Sequence, residues 1–463
     1  MSDKLCQIKQ YLPLAVGLMG IVVIVALMPQ AVKYLTRASG TPANLVINYE
    51  GLLGTMPKIW RNLAQGGEEP KAMLAGVMAE VKALQPEYIR IDHIYDAFNV
   101  VNKQEGKLNY NWNGLDEAVG EIMATGAKPF LVLSYMPTVL SGGSMVDVPR
   151  DFNEWGSVVQ ATIEHYSGRN EKNIEGVIYE VWNEPDLFGG YKTYGDKNYL
   201  NLYDASARAA MRAQNVNRFE IGGPASTAPY ATWVQNLIKY VDQNNLRMDF
   251  VSWHRYSTSI DQFEVDVKQV QDWAQKIPAL ANLKYYVTEW GHNSENDAGY
   301  DNKFGAIHTL AGVRAMMGRA DRAFIFEIKD GPGKEKYWKR WGLLTNEKWG
   351  EPEKKPRYGA VQFLNSLLKF RVGLSGEGSF VRAIASEDEE GKLKALVINY
   401  DADGSHSETV PITFENLPKG NFMYTRQDFL GGSKGTKIAT SEASWKTVEY
   451  MAPNSAMMVS LDF

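Results

Sequence analysis

A single cysteine, Cys6, in 463 residues excludes any intrachain disulfide, so the fold must rest on its core alone. Basic residues are not in excess. The 49 Lys and Arg against 54 Asp and Glu give a net charge of -5, which leaves no electrostatic footprint for nucleic acid. The six histidines (His93, His165, His254, His292, His308 and His406) show no ligand spacing of the H-E-x-x-H kind, so no metal and no other cofactor is expected. Internal repeats and low-complexity stretches are absent as well. What remains is ordinary globular composition, 44% hydrophobic and 22% charged. The length suits one large domain plus a smaller one. Aromatic residues reach 11%, with 12 Trp and 24 Tyr. Sugar rings pack their C–H faces on such side chains, although large cores and β-domains consume aromatics too.

One long apolar run exists, from Leu12 to Met28, flanked by Lys4 and Lys9 before it and Lys33 and Arg37 after it. It sits at the lower limit for a spanning helix and slightly beyond a usual signal-peptide core. Pro29-Gln30-Ala31 is a poor cleavage site. Residues 1–40 are therefore read as an uncleaved transmembrane anchor and linker. The alternative is a cleaved signal and a secreted protein. A short tail before the helix and a long domain after it place that domain outside the cytoplasm, in the periplasm or at the cell surface.

Over residues 41–370 the pattern alternates. Strand-like runs occur at Leu45–Tyr49, Tyr88–Ile91, Pro129–Ser134, Gly176–Trp182, Phe219–Gly222, Asp249–Trp253, Tyr285–Thr288 and Ala323–Ile328. Helical spacing fills the gaps, among them Leu115–Ala124, Trp155–His165, Tyr199–Ala213, Thr232–Val241, Val265–Gln275 and Ala306–Met317, with a closing helix at Tyr358–Phe370. Eight such units predict a (β/α)8 TIM barrel. From 371 to 463 the period changes to two, with Gly, Asp and Asn between runs, which predicts an antiparallel β-sandwich.

Two glutamates occupy matching settings. Glu184 lies in Ile178-Tyr179-Glu180-Val181-Trp182-Asn183-Glu184-Pro185-Asp186, and Glu289 lies in Tyr285-Tyr286-Val287-Thr288-Glu289-Trp290-Gly291. Each ends a β-branched and aromatic run and is followed by strand-breaking residues. They are 105 residues apart, or three βα units, so a barrel brings both to its C-terminal mouth. Two carboxylates at one mouth form an acid and nucleophile pair for glycoside hydrolysis. Retention of configuration requires a separation of roughly 5–5.5 Å, and inversion about 6.5–9.5 Å. Asn183 supplies an amide for the sugar 2-hydroxyl, and Arg90 and Tyr256 are placed to keep Glu289 ionised. Glu180 shares strand parity with Glu184 and needs a partner, for which Arg90 is the candidate.

Asn-Glu-Pro after a strand, with a distant Thr-Glu-Trp, resembles the clan A retaining glycoside hydrolases. Lys128–Pro137, Glu180–Asp186, Gly222–Ala225, Asp249–His254, Trp341–Thr345 and Lys355–Ala360 further resemble family 39, which includes β-xylosidases and α-L-iduronidases. The likeness runs from about residue 45 to 463. It implies Glu184 as acid/base and Glu289 as nucleophile, acting on a polysaccharide or oligosaccharide by double displacement. A membrane anchor on such a domain implies action on exopolysaccharide, contact with polysaccharide export machinery, and endo cleavage. A transglycosylase and a catalytically inactive carbohydrate-binding envelope protein are the competing readings. Further sugar contacts are expected from His254, His93, Lys329, and the platforms Trp290 and Tyr135. Strand 2 reads Arg90-Ile91-Asp92-His93 where the family has Arg-x-His, and strand 8 lacks a usual tryptophan. Xylose or iduronate specificity is therefore not transferred.

Overall fold

The computed structural model describes residues 40–66, 69 and 73–463. The apolar run of residues 12–28 lies outside them, and no helix among the described residues is long and apolar enough to cross a membrane.

Eight parallel strands close into a barrel in chain order. They are β1 (Asn62–Gln65), β2 (Tyr88–Ile91), β3 (Lys128–Leu133), β4 (Ile178–Val181), β5 (Glu220–Ser226), β6 (Phe250–Tyr256), β7 (Lys284–Gly291) and β8 (Arg322–Phe326). The helix after each strand packs its apolar stripe on the outside, as Trp155, Val158, Val159 and Ile163 do for Phe152–Ser167. Inside, Ala64, Tyr88, Phe130, Ile178, Phe250, Tyr286 and Phe324 form an apolar plug. At β5 the neighbour of Phe250 is Gly222, where a Cβ would lie 2.7 Å from the Phe250 ring. Two residues further along their strands the inward positions turn polar, with Arg90 above Tyr88 and Glu180 above Ile178. Barrel strands alternate their side chains between interior and helix layer, so this step toward the C-terminal mouth follows from chain direction alone.

The remaining strands form one nine-stranded sheet: Leu45–Thr55, Phe370–Ser375, Val381–Glu387, Leu393–Asn399, Glu408–Glu415, Gly420–Asp428, Ser433–Thr440, Ser444–Met451 and Ser455–Asp462. It curls on itself. Phe422 and Tyr424 meet Trp445 at ring distances of 5.4 and 4.9 Å, although their strands lie near opposite ends of the hydrogen-bonded order. A β-rich domain follows the barrel, as expected, but it also claims the first strand. Leu45–Tyr49, expected as a barrel strand, pairs with Phe370–Ser375 and Glu408–Glu415. Its alternation explains this: Leu45 and Ile47 are buried and their neighbours are not, which suits a sheet with one wet face rather than a barrel strand covered on both. The true first barrel strand, Asn62–Gln65, has no β-branched residue. The closing helix spans Pro356–Asn365 and not 358–370, because Phe370 opens the next strand. The two domains are tied by Arg314, which pairs with Glu377 at 2.7 Å and donates to the Ala383 carbonyl.

Candidate active site

Three local devices aim the functional side chains. The first is a bulge in β7. Val287 pairs with Trp253 and Glu289 with His254, so Thr288 is the extra residue. Regular alternation from the inward Tyr286 would turn Glu289 outward, and the bulge reverses it. The second is the turn after β4, where Trp182 and Glu184 take φ of 72° and 44°. Non-glycine residues adopt this region only when the surroundings hold them there. Here the Glu184 N–H donates to the Ala225 carbonyl at 3.0 Å, and the Trp182 indole donates to the Phe188 carbonyl at 3.2 Å. The third is Arg90, 1% exposed at the barrel centre.

Arg90 organises the site. Its Nε donates to Glu180 at 2.8 Å, Nη1 to Glu289 at 2.7 Å, and Nη2 to the Asn183 side-chain oxygen at 2.7 Å. The expected Glu180 pair is therefore real, and the same guanidinium reaches Glu289. Tyr256 donates its hydroxyl to the other Glu289 oxygen at 3.0 Å. His254, fully buried, places Nδ1 2.8 Å from Glu184 and 3.5 Å from Glu289, and so bridges them. Asn183 donates its amide to the Tyr135 hydroxyl at 3.0 Å. One oxygen each from Glu184 and Glu289, with one His254 nitrogen, lie within 4.8 Å of one another.

Charge follows from these contacts. Burial alone would lower the Arg90 value, but Glu180 and Glu289 outweigh it and lock the guanidinium positive. Burial likewise opposes protonation of His254, and the charges of Glu289 and Glu184 overcome it, raising the imidazole above its ordinary value. Tyr256 is pushed well above the usual phenol range by burial and by Glu289, so it stays a donor. Burial raises Glu289 above a free glutamate, against the pull of His254 and Arg90. The donors are unequally shared. Glu289 receives Arg90 and Tyr256, whereas Glu184 contacts His254. The three clustered donors would also suit a cation, but Arg90 already holds a positive charge against Glu289 and competes with one there.

The profile of the family described as "Glycosyl hydrolases family 39" matches residues 53–396. The chain is a family 39 glycosyl hydrolase. A β-xylosidase of Caldicellulosiruptor saccharolyticus is 25% identical over 408 residues, covering 81% of each chain. A β-xylosidase of Geobacillus stearothermophilus is 28% identical over 163 residues, which is 33% of this chain and 32% of that one. Among solved structures, the family 39 enzyme of Xanthomonas axonopodis pv. citri superposes with a TM-score of 0.74 at 20% identity, over 91% of this chain and 97% of that one. A monomeric β-xylosidase of Caulobacter crescentus gives 0.74 at 19% identity, over 91% and 99%. The protein is therefore a glycosidase with the (β/α)8 barrel and β-rich domain expected of it.

In this family 39 enzyme the cleft above the site has a volume of about 480 Å³. Of the expected residues, Glu184, Glu289, Asn183, Tyr135, Tyr256 and His93 line it, while Arg90 and His254 lie beneath it. His93 is placed by a 2.7 Å contact with Asp96 and by its edge against Tyr135 at 4.5 Å. Two expectations fail. Trp290 is fully buried on the helix side, packed on Phe263 and against Gly312, where a Cβ would fall 2.6 Å from the indole. The bulge that turns Glu289 inward necessarily turns Trp290 outward. Lys329 is also fully buried and is consumed by Glu69 at 3.2 Å and Glu347 at 2.7 Å.

The cleft contains polar residues that sequence reading passed over. Gln65 and the Gly66 N–H donate to Glu327 at 3.1 and 3.2 Å, and Glu327 and Asp92 line the wall formed by β8, β1 and β2. Gln65 ends the strand that had no strand-like pattern, and Glu327 follows the end of β8. Their position after barrel strands was the only available signal.

Proposed function

We propose that the enzyme cleaves a polysaccharide or oligosaccharide with retention of configuration, with Glu184 as acid/base and Glu289 as nucleophile. The observation that carries this reading is the approach of the two carboxylates, with oxygens within 4.8 Å, which agrees with the closer spacing of a retaining pair. Glu184 delivers its proton to the leaving oxygen while Glu289 attacks the anomeric carbon. Tyr256 and Arg90 release Glu289 as its charge passes into the new bond. Water, deprotonated by Glu184, then frees the sugar. The bridging His254 keeps the two carboxylates in register through both steps.

The charge of the cleft narrows the substrate. Glu69, Asp92, Glu184, Glu289, Glu295 and Glu327 line it against Arg255 and Lys339; Arg255 pairs with Asp266, as Glu69 does with Lys329 and Glu289 with Arg90, and carboxylates still outnumber cations. Such a wall repels uronate and sulfated sugars and suits neutral ones. Among the neutral substrates, an exopolysaccharide of the cell envelope, cleaved internally by a domain anchored outside the cytoplasm, fits the apolar run of residues 12–28. Contact with export machinery belongs to the same proposal. Transglycosylation uses the same residues and differs only in the acceptor. The intact hydrogen-bonded pair disfavours a retired binding protein.

The test is reducing-end release by the full-length enzyme from neutral and uronate-containing polysaccharides and aryl β-glycosides, beside Glu289→Gln. Activity on neutral substrates that vanishes in the variant is expected. Equal activity in both proteins would remove Glu289 from the mechanism, and a preference for uronates would overturn the charge argument.

A further inference from the structure

Leu187, Phe188 and Tyr230 break the usual pattern of burial: they are 60%, 41% and 49% exposed, yet all three line the cleft. Their placement is built. The N–H groups of Leu187 and Phe188 both donate to the Glu184 carbonyl, at 2.9 and 2.7 Å, so one tight turn carries them away from the Glu184 side chain. The Phe188 ring leans on Tyr135 at 5.9 Å. Tyr230 belongs to the next loop, after β5, where its hydroxyl lies 3.4 Å from Thr227. Asp186 clamps the two loops together, accepting from the Thr227 N–H at 3.0 Å and from its hydroxyl at 2.5 Å. An apolar rim is thus fixed beside Glu184, across the cleft from the polar wall of Gln65, Asp92 and Glu327.

Resting on the retaining reading, we propose that this rim is the leaving-group subsite and that its occupant is a saccharide. The reaction itself supplies the direction. The acid protonates the oxygen that departs, so whatever departs lies on the side of the acid. Solvent-exposed apolar side chains inside a cleft gain by packing on the C–H face of a pyranose ring, and two loops clamped by Asp186 present them without an ordering penalty. A chain seated there extends beyond the bond being cut, as internal cleavage of a polymer requires. After the first product leaves, a second saccharide can occupy the same rim and replace water as acceptor. The new glycosidic bond then forms as the Glu289 ester breaks, and the acceptor proton passes to Glu184.

The experiment compares hydrolysis of β-linked hexasaccharides of xylose, glucose and mannose with that of the 2,4-dinitrophenyl β-glycosides of the same sugars. The full-length enzyme, Phe188→Ala and Tyr230→Ala are measured together, with Phe188→Tyr as the conservative control. The ratio of kcat/KM on hexasaccharide to kcat/KM on dinitrophenyl glycoside falls tenfold or more in the alanine variants and is retained in Phe188→Tyr. An unchanged ratio would overturn the assignment. So would a loss confined to the aryl substrates, which would make the rim a site for aromatic aglycones, or hexasaccharides left uncut while dinitrophenyl glycosides turn over. Failure of every donor in the wild type would instead strike the retaining reading, and the subsite with it.

Discussion

Replacing Arg90 by methionine separates what holds the barrel from what performs the chemistry. The variant strips three hydrogen bonds of 2.7–2.8 Å from a site that is 1% exposed, and leaves Glu180 and Glu289 without their cation. Breaking a buried ion pair by removing one partner typically costs about 3–5 kcal/mol. Glu180, fully buried and with Oε1 already without a hydrogen bond, is then a buried carboxyl with no cation beside it. Urea unfolding of the variant beside the wild type reads the deficit directly. Adding Glu180→Leu removes the stranded charge and recovers much of the stability. It recovers no activity, because Glu289 and Asn183 still lack their donor; the loss of one charge-stabilising donor is on the order of 10²–10³ in kcat. A deficit below about 1 kcal/mol would contradict this. So would activity that returns with Glu180→Leu.

Other consequences are equally specific. Tyr256→Phe lowers kcat by roughly 10²-fold while leaving the urea midpoint within error, since it deletes a hydroxyl that faces Glu289; an unchanged kcat would remove Tyr256 from the site. Trp290→Ala loses about 3–5 kcal/mol of stability, and its surviving folded fraction keeps the wild-type KM, because the indole faces the helix layer; a large KM change would restore it to the cleft. His308 is pushed down to about 3 by burial, His292 and Arg357, and His292 is pushed down to about 4 by burial and Arg357. Both are neutral when folded and protonate near 6.5 when unfolded. Stability is thus full above pH 6.5 and falls as pH drops toward 4, by about 1.4 kcal/mol per pH unit for each histidine. His308→Gln should halve that slope between pH 6.5 and 5, and an unaltered slope would contradict it.

The position of the proposed catalytic pair was legible because each glutamate ends a run rich in β-branched and aromatic residues, a signal that survives in one dimension. Seven of the eight barrel strands were legible for the same reason. Asn62–Gln65 was not, since a short strand sealed on both faces by its neighbours needs no intrinsic preference of its own. Leu45–Tyr49 misled because its pattern is that of a strand without saying which sheet it joins. The reach of Arg90 to Glu180 followed from the alternation of strand parity, and its reach to Glu289 from both residues ending barrel strands at the same mouth. The fate of Trp290 did not, because one inserted residue at Thr288 reverses that parity, and a bulge leaves no mark in the composition around it. Lys329 shows a different limit. A lysine at a strand end reads as a sugar contact until Glu69 and Glu347, 260 residues before it and 18 after it, are seen to close on it.

The central claim is that Glu289 becomes covalently bound to sugar with Glu184 as the proton donor. Incubating the enzyme with a 2,4-dinitrophenyl 2-deoxy-2-fluoro-β-glycoside of the preferred sugar, followed by intact mass measurement and peptide mapping, tests it most directly. One added fluoroglycosyl unit per chain is expected, carried by the peptide that contains Glu289. Turnover with inversion at the anomeric carbon and no adduct, or an adduct on Glu184, would contradict it.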